Sequence, residues 1–160
     1  MDQKQMSLTD LHRSLLEASK RQSALTLFFH QNVAKYLGLN ITDHKCLDIV
    51  LRMERTTAGQ LAELTGLTTG AITNALNRLE KAGYVRRVKD PNDLRMVIVE
   101  PIYTNLHRIK EVFAPLSEAM TGLYSRYNPE ELQVILDYIE RSNQVLIRQT
   151  DQLRKKQKIK

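Results

Sequence analysis

The residues best suited to chemistry in this chain lie between Thr68 and Arg95. Thr69, Gly70, Thr73, Asn74 and Asn77 recur at spacings of one, three and four, so in a helix they share one face. Ile72, Ala75, Leu76 and Leu79 fall on the other face. A helix built only to meet water would carry Glu, Lys and Gln, because Thr, Asn and Gly are weaker helix formers. Short hydrogen-bonding side chains and a glycine instead suit close approach to a DNA major groove. Asn can pair with the N6 and N7 edge of adenine, and Thr can meet a phosphate or a thymine methyl. At Thr68 and Thr69 the free N–H groups of the helix start favour a phosphate. Arg78, Lys81, Arg86 and Arg87 would neutralise backbone charge and hold register.

Farther along, Asp93 and Arg95 are two residues apart, so the carboxylate can brace the guanidinium and point it outward. An arginine presented this way suits a narrow minor groove, where negative potential is concentrated. The plain alternative is a solvated hairpin with an incidental ion pair, worth little. Beside the Thr- and Asn-lined helix, the groove reading is preferred.

Other chemistries find less support. Cys46 has Ile49 and Val50 at helical spacing, surroundings that raise a thiol pKa and dull it, so it reads as a core thiol rather than a redox sensor. His12, His30, His44 and His107 form no His-x-x-x-His pattern, and His44 and Cys46 point to different sides of a helix, so no metal site is expected. Glu130 and Glu131 are explained by a helix N-terminus, and Ser, His and Asp fall in no nucleophile motif. "GLTTG" reads as a turn and cap, not a phosphate cradle. No catalytic residue and no cofactor are expected.

The elements that must position these residues follow from periodicity. Apolar residues at Leu8, Leu11, Leu15, Ala18, Leu25, Phe29, Val33 and Leu37 form the stripe of a long helix, with Gly38 as its stop. Thr42 is placed to cap a second helix burying Cys46, Ile49, Val50 and Met53. "TAGQ" has capping-box spacing and opens a third helix anchored by Leu61 and Leu64. Gly66 ends it, Thr68 caps the fourth, and Gly83 stops that one. Two β-rich runs, Tyr84–Lys89 and Met96–Glu100, flank "DPND", whose Asp and Pro suit a type I turn. Two helices joined by a short turn and followed by a basic hairpin make a winged helix-turn-helix.

Downstream, Ile102, Leu106, Ile109, Phe113, Leu116, Met120, Leu123 and Tyr127 alternate spacings of four and three, a stripe for packing along another helix. Pro115 predicts a kink or break in it. "NPEE" starts a last helix with a stripe of Leu132, Ile135, Ile139, Leu146 and Leu153. Such long stripes overrun a small central module. An intramolecular bundle is one solution; a two-fold homodimer with interlocking terminal helices is preferred, with Leu11, Leu15, Leu123, Leu132, Ile135, Ile139 and Leu146 in the interface. Aromatic residues such as Phe28, Phe29, Tyr36 and Phe113 read as core before pocket.

The bulk numbers agree. At 160 residues, 42% hydrophobic and 26% charged, the chain suits one globular domain. Its charge of +6 is uneven: residues 78–95 carry six basic groups against three acids, and residues 148–160 carry six against one. That basic end reads as a helix terminus more readily than as a DNA contact. One cysteine permits no internal disulfide, "MDQKQMSLTD" contains no signal-like apolar run, and no stretch approaches the roughly 20 apolar residues of a membrane span. A cytoplasmic protein without a membrane partner is expected.

"TAGQLAELTGLTTGAITNALNRLEKAGYVRR" followed by "DPNDLRMVIVE" resembles the MarR (multiple-antibiotic-resistance regulator) family of winged-helix transcription factors. The resemblance covers about residues 42–100 and implies a single mainly α domain with a small β-hairpin wing. Residues 42–101 would form the DNA-binding lobe, and residues 1–38 and 102–160 the dimerisation helices. It further implies a homodimer on a pseudo-palindromic operator, more often a repressor. A small effector would act between the dimer helices and the lobe. Leu94 stands where many members carry a first wing arginine, and "EPIYTN" replaces the common Thr-x-x-Gly opening of the next helix. A reading from another class is a winged-helix protein-interaction module, whose binding would ignore Asn74 and Arg95.

Overall fold

The computed structural model describes residues 6–157. In chain order the elements are α1 (Leu8–Tyr36), α2 (Ile41–Met53), β1 (Thr56–Thr57), α3 (Ala58–Thr65), α4 (Thr69–Lys81), β2 (Val85–Lys89), β3 (Val97–Pro101), α5 (His107–Tyr124) and α6 (Pro129–Gln157). The chain divides into two compact units, one ending at Asn105 and the other starting at Leu106. The fold is mainly helical with a small antiparallel sheet, as the periodicity predicts. Residues 1–5 and 158–160, the outermost parts of the expected dimerisation segments and basic end, lie outside the described residues.

Each helix of the first unit starts and stops where its end groups find partners. Ser7 caps α1, and Gly38, just beyond its end, takes φ 71°. Asn40, not Thr42, caps α2: its side-chain oxygen accepts from the Asp43 N–H at 2.8 Å. Asn is among the strongest capping residues, and here it stands upstream of the threonine. Thr57 and Gln60 complete the expected capping box of α3, with Gly66 left-handed at its end. Thr68 caps α4, accepting from the Ala71 N–H at 3.2 Å. Gly83 follows α4 at φ 76°, and a Cβ there would stand 3.0 Å from Nδ2 of Asn105, which donates to the Gly83 carbonyl.

The core is shared by α2, α3, α4 and the sheet. Leu47, Val50, Leu61, Ile72, Leu76, Leu79, Val85 and Val99 are fully buried. Each such side chain contributes about 1.5–3 kcal/mol of transfer free energy. Met53 and Leu64, expected inside, are exposed because each sits near the end of its helix, past the last turn that meets the core.

The hairpin is a sheet of three strands in the order β1-β3-β2, not two. Thr56 and Thr57 pair with Val99 and Ile98, a strand too short to leave any period in the sequence. β2 and β3 are antiparallel with Arg86 opposite Glu100 and Lys89 opposite Val97. The wing turn also shifts. Asp90 spends its carboxylate on the Asn92 N–H at 2.8 Å, which lengthens the loop, and the chain reverses through a turn closed by Met96 N–H on the Asp93 carbonyl. Leu94 and Arg95 therefore occupy the two central positions at the tip.

A 3₁₀ turn at Tyr103–Asn105 ends the first unit, and α5 of the second starts at His107 rather than near Ile102. Pro115 lies inside α5 without breaking it, although an interior proline costs roughly 3 kcal/mol. Asn128 and Glu131 cap α6 reciprocally, each side chain accepting from the other's N–H at 2.9 Å. Leu123, Ile139 and Leu146 are exposed on these helices, and Leu132 and Ile135 are half-buried. On α1, Val33 and Ala34 are buried while Leu11 and Leu15 are exposed. No helix among the described residues is long and apolar enough to cross a membrane.

Candidate nucleic-acid interface

α4 presents two chemically distinct faces. Ile72, Ala75, Leu76 and Leu79 are wholly buried, whereas Thr68, Thr69, Gly70, Thr73, Asn74 and Asn77 are all exposed. The exposed face is thus lined by small hydrogen-bonding groups, fixed by a buried stripe that leaves the helix no other way to turn. A Cβ added at Gly70 would meet nothing within 4 Å, so nothing inside the chain requires a glycine there.

The surrounding arginines differ in how much of their charge the chain itself engages. Arg78 donates from Nε and Nη2 to both oxygens of Asp43 on α2, at 2.7 and 2.6 Å. That carboxylate stabilises the guanidinium and raises its pKa above the ordinary arginine value. Arg87 donates to Glu80 at 2.6 Å and to the Thr73 carbonyl at 3.4 Å, tying β2 to α4. Arg86 reaches Glu100 at 3.1 Å, and Arg55 meets the other oxygen of the same carboxylate at 3.0 Å. Arg55 follows Glu54, whose φ of 59° is strained for a residue with a side chain.

Arg95 stands apart. Its side chain is 94% exposed, while its backbone N–H and Nε both lie on Asp93 Oδ1, at 3.0 and 3.3 Å. The arginine thus projects from the wing tip with its base braced. Leu94 beside it is 68% exposed.

Asp43, Glu80, Glu100 and Arg55 escape sequence reasoning because their partners lie on other elements. Only the two-residue spacing of Asp93 and Arg95 was visible as a local pattern. Cys46 is fully buried, and burial followed by the Asp43 charge pushes its thiol pKa up, with Arg78 opposing. His30 and His44 approach, Nδ1 to Nε2, at 3.0 Å across α1 and α2. Among the described residues no group of three or more His, Cys, Asp or Glu is arranged to hold a metal ion.

This arrangement can neutralise phosphates along one side of a helix and offer amide and hydroxyl groups to base edges. Comparison with known proteins places it among such folds. Residues 39–97 match the model of the MarR family. The chain is 38% identical over 148 residues to the uncharacterized HTH-type transcriptional regulator YcgE of Bacillus subtilis (strain 168), spanning 92% of this chain and 96% of that one. Its structure resembles the transcriptional regulator BldR of Sulfolobus solfataricus, with TM-score 0.54, 28% identity, and coverage of 86% of this chain and 99% of that one. A MarR transcriptional regulator from Methanosarcina mazei Go1 shares the fold at TM-score 0.61 and 16% identity, over 85% of this chain and 98% of that one. Sequence and architecture agree: the chain belongs to the MarR family of winged helix-turn-helix transcriptional regulators.

Proposed function

We propose that this regulator binds double-stranded DNA sequence-specifically as a homodimer and represses transcription from a pseudo-palindromic operator in the cytoplasm. The observation that carries this reading is the exposed Thr, Gly and Asn face of α4 over its buried apolar stripe, beside a wing tip that projects Arg95. Thr68, Thr69, Gly70, Thr73, Asn74 and Asn77 enter a major groove. Arg78, Arg86 and Arg87 supply charge to the backbone, and Arg95, braced by Asp93, enters the adjacent minor groove. Two such helices, about 34 Å apart, would read successive turns of duplex.

The exposed apolar side chains support the dimer: Leu11 and Leu15 on α1, with Leu123, Ile139 and Leu146 on α5 and α6, are surfaces a second copy would cover. Residues 1–38 and 102–160 would then form the dimerisation part of a single domain and residues 42–101 the DNA-binding lobe. A small effector that favours a dimer with wrongly spaced helices would relieve repression.

Selection of duplexes from a random pool, followed by gel-shift titration across salt, tests the reading. Expected is an inverted repeat with half-sites one turn apart and an affinity that falls steeply with salt. A flat salt response, or binding unchanged in Asn74→Ala and Arg95→Ala, would favour a winged-helix module that meets protein instead.

A further inference from the structure

Arg78 is not a freely swinging cation. Two of its donors are committed to Asp43 in a fork-to-fork pair, and the Asp43 side chain is only 2% exposed while that of Arg78 is 49% exposed. Burying a carboxylate is costly unless geometry is good and its oxygens are satisfied. Here both are, and the acid itself is anchored in the first turn of α2, where its N–H is held by Asn40. The guanidinium plane is therefore set from inside the core. Both donors on Nη1 and one on Nη2 remain for an outside partner. Arg78 is four residues from Asn74, on the same side of α4.

We propose that Asp43 is a positioning residue for DNA binding, holding the Arg78 guanidinium so that its remaining N–H groups meet a phosphate of the duplex. This rests on the reading of α4 as the DNA-contacting helix. Pre-set in this way, Arg78 loses little side-chain freedom on binding, a cost an unbraced arginine would carry at each encounter. The rival role for Asp43 is a clamp that merely joins α2 to α4.

The two separate in a binding cycle on the full chain read beside the unfolding midpoint, with a duplex selected by the wild type from a random pool. A clamp loses affinity only in step with the midpoint, whereas positioning costs affinity beyond any loss of stability. Asp43→Asn is nearly isosteric and keeps the Arg78 charge; it should weaken binding about three- to tenfold while leaving the slope of log affinity against log salt unchanged. Arg78→Ala should lower that slope by about 0.9 per subunit. In the Arg78→Ala background, Asp43→Asn should cost nothing further. Arg78→Lys, a conservative change on the exposed side of the helix, keeps charge but loses the fork, and should behave like Asp43→Asn even if the latter folds poorly. Equal losses from Asp43→Asn in both backgrounds, or wild-type binding by Arg78→Lys, overturn the positioning role. A wild type that selects no duplex at all overturns the reading of α4 itself, and this inference with it.

Discussion

The carboxylate of Glu80 holds Arg87 at two points, accepting its backbone N–H at 3.1 Å and its guanidinium at 2.6 Å. The last turns of α4 are thereby joined to the first residues of the wing. Arg87 is largely covered and its partner part-exposed, so the pair should exceed a typical surface bridge only modestly. A double-mutant cycle with Glu80→Gln and Arg87→Ala is expected to give a coupling of about 0.5–1 kcal/mol in thermal or denaturant unfolding. Additive effects would mean the contact does not join the elements.

Gly70 offers a sharper separation of folding from binding. Its missing Cβ has open space around it, so Gly70→Ala should stabilise the free protein by up to about 1 kcal/mol through helix propensity. The same methyl would intrude on a closely seated duplex and weaken DNA binding. Raised melting temperature with unimpaired binding would remove Gly70 from the interface.

Arg95 makes no contribution to the core, so Arg95→Ala should leave the unfolding midpoint nearly unchanged. DNA affinity should fall by about 1 kcal/mol or more, while Asn74→Ala should relax the preference for adenine at one operator position rather than weaken all sequences equally. Sequence-independent losses in both variants, measured on a panel of single-base operator variants, would argue against base readout by Asn74.

Stability should fall on acidification. Burial lowers the pKa of both His30 and His44 below the ordinary 6.5; for His44 the neighbouring His30 adds to the effect, Lys45 depresses both, and Asp48 opposes. Below that value the unfolded chain takes up protons that the folded chain resists, so stability present above pH 6.5 is lost progressively as pH falls towards the folded-state values. Melting temperatures between about pH 7 and about pH 5 should decline, and His44→Gln should flatten the decline. An equally steep profile in the variant would exclude the pair as its source.

The proposed dimer is tested on the exposed apolar faces of α6. Ile139→Asp and Leu146→Lys place charges where a second copy should cover them, and should shift sedimentation towards the monomer and weaken binding to paired half-sites together. Wild-type sedimentation in both would exclude these residues from the interface.

Much of the fold was written locally. The caps at Thr57 and Thr68, the stops at Gly66 and Gly83, and the buried stripe of Ile72, Leu76 and Leu79 all follow from spacing along one helix. Asn40 and Thr42 both fit a cap by local pattern and lie two apart, and the folded chain uses Asn40. β1 was invisible because its two residues are ordered by pairing with β3, not by a pattern of their own. The acids that govern Arg78, Arg86 and Arg87 were missed for the same reason. Asp43 and Arg78 are 35 positions apart and meet only when α2 packs on α4. Face and charge are therefore readable from one element, whereas the orientation of each charge is not.

Thr57 serves two masters. It pairs with Ile98 in the sheet, and its hydroxyl and N–H close the capping box that starts α3. Sheet and α3 are thus joined at a single residue, at the foot of the helix that precedes the reading helix. Loss of the Thr57 hydroxyl should therefore be felt on both sides of that joint, and Thr57→Ala should lower the unfolding midpoint through the lost cap and the weakened strand together.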